Sequence, residues 1–175
     1  MIRQHTYQQS PEPTMPDAPR DWPTDPATRW LVKQYTGPSK NIYARWRDPG
    51  VLSFPLGENF DAIVVTLHLG RAVVEALRSS DLLVGPVVVD QRSAHATFLV
   101  PAGTAGTWTH PLTVAHGVGE SFFCPEPSKV ACRRGWLVNP DQAGVLTDPD
   151  QLLTALESAG EELIDKQLIT GSGGR

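Results

Sequence analysis

Apolar and polar residues alternate along this chain in two rhythms, one of period two and one of period three to four, and the switch between them predicts its elements. Strict alternation or short apolar runs mark strands at residues 41–46, 51–56, 60–67, 84–89, 95–100, 121–124 and 135–138. The run FDAIVVTL at 60–67 is apolar enough to be a central strand covered on both faces. Helical spacing appears three times. Asp25-Pro26 supplies an N-cap and an N1 proline ahead of Trp30, Leu31 and Tyr35, and Gly37-Pro38 ends that helix. Leu69, Val73, Val74 and Leu77 form a second stripe. Thr147-Asp148-Pro149 opens a third helix carrying Leu152, Leu153, Leu156 and Leu163, which Gly160 could split.

Turn residues separate these elements. Asp48-Pro49-Gly50 divides the strands predicted at 41–46 and 51–56, and residues 90–93 join those at 84–89 and 95–100 into a hairpin. Residues 101–119, rich in Gly, Thr and Ala, read as a loop or a weak strand. Neither an internal repeat nor a βαβαβ alternation is present, so the pattern predicts one α+β domain, a mostly antiparallel or mixed sheet packed with a few helices. Residues 1–20, punctuated by Pro11, Pro13, Pro16 and Pro19, read as a disordered arm, 21–169 as the domain and 170–175 as a disordered tail.

Composition changes this picture little. A chain of 175 residues builds one core without a metal or disulfide staple. No stretch approaches the roughly 20 apolar residues of a membrane span, and residues 1–20 lack an apolar signal core, so the expectation is a cytoplasmic protein with no membrane partner. Cys124 and Cys132 are expected to be reduced thiols, as in a cytosolic protein, with a disulfide as the alternative, and the absence of metal-ligand spacing argues against a zinc site. The net charge of −4 gives no global reason for nucleic-acid binding.

A few residues carry candidate chemistry. Asp61 lies within an apolar strand, where a carboxylate needs a partner, and reads either as a metal ligand or as the cap of a turn. His95 opens its strand and reads either as a phosphate or proton-transfer contact or as a half-exposed strand start. Cys124 would need a nearby base to act as a nucleophile, and buried cysteine is the alternative. Lys40, Arg45 and Arg47 interleave with Tyr43 and Trp46, a mixture that can neutralise phosphates and stack bases, although part of it is expected to be core. Phosphate-loop, serine-hydrolase and dinucleotide motifs are absent from the sequence.

Taken in order, Asp25-Pro26 with Trp30, Pro38 and Asn41-Ile42, then residues 60–65, Ser93-Ala94-His95-Ala96-Thr97-Phe98, residues 119–127, and Gly135 to Pro140 resemble the N-terminal module of the bifunctional DNA primase/polymerases, the prim-pol branch of the archaeo-eukaryotic primases. Leu146-Thr147-Asp148-Pro149 resembles the start of the last helix in short stand-alone actinobacterial versions. The resemblance covers roughly residues 25–140 and implies a two-metal nucleotidyl transferase, with paired acids on one strand, a third acid later, and a histidine on the triphosphate. Asp61 matches one acid and His95 the histidine. Ile63 stands where the second acid is expected, and Val114 is nearest the third, with Glu120 as a substitute. The implied reading is therefore a catalytically inactive prim-pol-like domain that binds a nucleotide, a nucleic acid or a protein, with Asp61 and His95 sharing one concave surface. The alternatives are an active transferase with relocated acids, which would need Mg²⁺ or Mn²⁺ where the inactive domain needs no cofactor, and an unrelated small regulatory or interaction protein.

Overall fold

The structure, a computed structural model, describes residues 25–36, 39–127, 129–140 and 144–171. The predicted arm at 1–20 and most of the predicted tail at 170–175 lie outside the described residues. The chain is α+β, with a five-stranded antiparallel sheet between a helical layer and a smaller layer containing a two-stranded sheet.

The elements follow local chemistry. Helix α1 (Pro26–Lys33) opens where Asp25 Oδ1 accepts the Thr28 N–H at 3.1 Å, and it buries Leu31. Helix α2 (Ser39–Arg47) replaces the strand predicted at 41–46. Ile42, Tyr43 and Trp46 are all buried, an i, i+1, i+4 set that suits one helical face and fails strict alternation. Strand β1 (Val51–Pro55) consequently loses its expected hairpin partner and pairs instead with β6 (Ser121–Pro125), with Phe54 opposite Phe122.

The large sheet has the order β5-β2-β4-β3-β7, formed by β2 (Phe60–Thr66), β3 (Val87–Asp90), β4 (His95–Pro101), β5 (Val114–His116) and β7 (Arg134–Val138). Strand β3 starts three residues later than predicted. Gly85 is tied to the segment before the last helix, its N–H donated to Thr147 Oγ1 at 3.0 Å and its Cα against the backbone of Leu146 and Thr147. The 101–119 segment is partly regular, with a 3-10 turn at Thr104–Gly106 and the short edge strand β5.

Alternation splits the sheet into two faces. Ile63, Val65, Val87, Phe98 and Val100 point to helices α3 (Leu67–Ser79) and α4 (Pro149–Gly171). Gly70 lets α3 close on β4, for a Cβ there would stand 2.4 Å from that of Ala96. Helix α4 runs unbroken through Gly160, its first turn capped by Asp148 Oδ1 accepting the Gln151 N–H at 3.0 Å. Phe60, Ala62, Val88 and Leu99 point the other way, onto α1, α2 and the β1–β6 pair. Among the described residues no helix is long and apolar enough to cross a membrane.

Candidate functional site

The register of β2 against β4 decides the fate of the expected Asp61–His95 site. Asp61 pairs with Val100, and His95 pairs with Thr66, five residues further along, about 17 Å at strand rise. Asp61 lies on the face of Ile63 and Val65, towards the helices, whereas His95 shares the opposite face with Thr97 and Leu99. The two side chains therefore stand on opposite faces and at opposite ends of the strand pair, and no common surface joins them.

Asp61 is 1% exposed, and its Oδ2 accepts the Ala105 N–H at 2.8 Å, pinning the 3-10 turn to the sheet. Its Oδ1 has no hydrogen-bond partner among the described residues. Ile63, at the position of the missing second acid, is fully buried in the helix-facing core. Glu120 is elsewhere: its carboxylate meets His116 Nδ1 at 2.5 Å and the Gly117 N–H at 2.9 Å, contacts that hold its pKa below the ordinary value.

The surface that does gather polar groups is the inter-sheet cleft, about 180 Å³, between the five-stranded sheet and β6. Neighbouring strands present Arg134, Asp90 and His95 in one row, because Asp90 pairs with both His95 and Arg134. Thr97 and His116 also line the cleft, and Ser121 and Phe123 bound it from β6. Arg134 Nη2 meets Asp90 Oδ2 at 2.7 Å. Burial pulls the Asp90 carboxyl upward, but the N–H groups of Arg92 and Ser93 and the Arg134 charge outweigh it, and the net shift is downward. Phe123 is 47% exposed at the rim, with the Arg134 guanidinium carbon 6.0 Å from its ring centroid.

Three turns meet beside this cleft. The turn at 131–134 is closed by reciprocal hydrogen bonds between Ala131 and Arg134, at 3.0 and 2.8 Å, and it places Cys132 and Arg133 at φ of 51° and 61°. Such left-handed pairs normally carry Asn or Gly, so Cys-Arg here is a locally unfavourable choice that sets an arginine at the tip. Arg133 O accepts the Gln91 N–H at 2.9 Å, which brings up the β3–β4 turn with Arg92. On the other side Cys132 Sγ donates to Pro49 O at 3.2 Å, which brings up the end of α2 with Arg45 and Arg47. Arg45, Arg47, Arg92 and Arg133 are all exposed, and Asp48 is the nearest exposed acid in sequence. The side chain of Lys40 lies outside the described residues.

Sequence reasoning singled out Arg45, Arg47 and His95 within this assembly but missed Asp90, Arg92, Arg133, Arg134 and Phe123. Asp90 and Arg92 read as turn residues, and Arg133-Arg134 as a pair too short to matter. Only the packing of three turns assembles them. Cys124 is fully buried, and burial pushes its thiol well above the ordinary value, so it is no nucleophile; both cysteines are free thiols. Comparison with protein-family models, curated proteins and solved structures finds no match for the chain.

Proposed function

We propose that this chain is a non-catalytic, prim-pol-like cytoplasmic module that binds single-stranded nucleic acid. The observation that carries the reading is the meeting of three turns that carry Arg45, Arg47, Arg92, Arg133 and Arg134, the last of which lines the cleft, in a chain of net charge −4. Such a basic track follows phosphates, and an exposed aromatic beside it stacks an unpaired base. The cleft is smaller than the roughly 300–1,000 Å³ of a drug-sized pocket, which fits a phosphate and sugar held inside with the base resting on Phe123 outside.

The non-catalytic part rests on where the acids stand. Asp61 faces the helices and is occupied with Ala105, while Asp90, on the opposite face, is neutralised by Arg134. Two carboxylates separated by a sheet cannot hold a pair of ions about 4 Å apart. The test is fluorescence anisotropy with a labelled oligothymidylate across a salt series, beside primer extension with Mn²⁺. Binding that weakens several-fold in Arg92→Ala/Arg133→Ala, with no extension product, is expected. Failure to bind at low salt overturns the binding reading; extension abolished by Asp61→Ala overturns the non-catalytic one.

A further inference from the structure

A second, larger cavity adjoins the inter-sheet cleft at His95. It encloses about 580 Å³, within the range of small-molecule sites, between the end of β2, the first turn of α3, α4 and residues 111–114. Its floor is apolar, from Val65, Leu69 and Leu163. Its rim carries Leu112 and Val114, 54% and 56% exposed, apolar surface that an occupant would cover.

Thr66 at the end of β2, its pairing partner His95 at the start of β4 and His68 in the first turn of α3 also line the cavity, and none of their side chains makes a hydrogen bond to another described residue. The fourth polar residue, Thr113, is already engaged: its hydroxyl accepts from Trp108 Nε1 at 2.9 Å and donates to His110 O at 3.1 Å. Imidazole and hydroxyl groups each offer a donor, so they suit an acceptor-rich head.

Gly160 adds an independent sign. It places the least helix-favouring residue short of proline inside the continuous α4, yet no close packing requires it. A Cβ there would lie 3.8 Å from Leu112 Cδ1, an ordinary contact. What the missing side chain leaves is room, and that room opens into the cavity. A local preference overridden without a packing reason is a mark of functional sites.

We propose that this cavity binds a small amphipathic carboxylate, its apolar body against Val65, Leu69 and Leu163 and its carboxylate received by Thr66, His68 and His95. The proposal does not rest on the nucleic-acid reading: the cavity shares His95 and Val64 with the inter-sheet cleft, but His68 lines this cavity alone.

Calorimetry on the full chain with decanoate and decan-1-ol tests it. Decanoate is expected to bind about tenfold more tightly than the alcohol, because hydrogen bonds to a charged acceptor are the stronger class. His68→Ala should remove that preference and leave both the alcohol affinity and oligothymidylate binding unchanged. Gly160→Leu should abolish binding of both probes, and Gly160→Ala should retain it with a raised melting temperature. Three results each overturn the proposal: no decanoate binding at millimolar concentration, equal affinity for acid and alcohol, or a folded Gly160→Leu that binds both. His68 is exposed, so its variant decides the question even if Gly160→Leu does not fold.

Discussion

On the proposed nucleic-acid reading, Asp90→Asn is expected to weaken the fold slightly while tightening the hold on a single strand. In the wild type, Asp90 Oδ1 accepts the Arg92 N–H at 2.9 Å and Oδ2 meets Arg134 at 2.7 Å. Asparagine keeps an acceptor for the turn, so mainly the ion pair is lost. With side chains 31% and 19% exposed, that pair is worth about 0.5–1 kcal/mol after solvent screening. The folded pKa of Asp90 is depressed, so this contribution is complete above the unfolded value of 3.8 and disappears as pH falls through the lower folded value. The stability gap between wild type and variant should therefore be full at pH 7 and close in acid below about pH 4. Binding changes in the opposite sense. A phosphate on Arg134 would sit about 6 Å from the Asp90 carboxylate, a repulsion of about 0.7 kcal/mol at the dielectric of water and about 3 kcal/mol at an effective value of 20. Taking about 1 kcal/mol for this half-open cleft gives about fivefold higher affinity. One more free cation also steepens the salt dependence of log K by about 0.7 for a single strand. Anisotropy across a salt series reads both quantities, and denaturant melts read the stability. Affinity and slope that both stay at the wild-type values would remove Arg134 from the ligand's path.

Two further outcomes test the buried groups. Asp61→Ala leaves the Ala105 N–H without its acceptor and should cost about 1–3 kcal/mol, less the relief of removing the unpartnered Oδ1, whereas Asp61→Asn keeps an acceptor and should cost less; equal losses in denaturant unfolding would contradict the assigned bond. In the native protein an aromatic disulfide reagent should titrate Cys132 alone, with Cys124 reacting only after unfolding, and two thiols of equal native reactivity would contradict the burial of Cys124.

The elements that the sequence makes legible are those whose burial follows one rhythm. Helix α3, with Leu69, Val73, Val74 and Leu77 on one stripe, and the hairpin of β3 and β4 are of this kind. Helix α2 was hidden by composition. Its Ile42, Tyr43 and Trp46 are strand-favouring types, and only their i, i+4 burial against β1 and its neighbours reveals the helix. The turn contacts of Asp61 were half legible: a buried acid needs a partner, but the donor is 44 residues away in a segment without hydrophobic pattern. The basic cluster was legible only in part, for a related reason. Arg45 and Arg47 stand out beside Tyr43 and Trp46, but Arg92, Arg133 and Arg134 are unremarkable locally, and turn-to-turn hydrogen bonds carry no signature in a single sequence.

The three-layer build also separates charge in space. On the helical layer the exposed Glu75, Asp150, Glu157 and Glu161 outnumber the exposed Arg71 and Arg78, while the exposed arginines of the three turns gather away from that layer. Layers pack about 10 Å apart, so Arg45 and Arg47 on α2, two layers away, lie about 20 Å from those acids, more than twice the physiological Debye length of about 8 Å, while Arg92 and Arg133, at the end of the middle sheet, stand about one layer away. The two sets are therefore partly screened from one another: the helices push a passing polyanion away and the turns draw it in. An excess of four negative charges governs the field at long range, yet at short range it exerts a torque rather than a simple repulsion. On the proposed nucleic-acid reading, productive encounters begin with the domain already turned turn-side first, and the charge balance of the whole chain says nothing about which side that is.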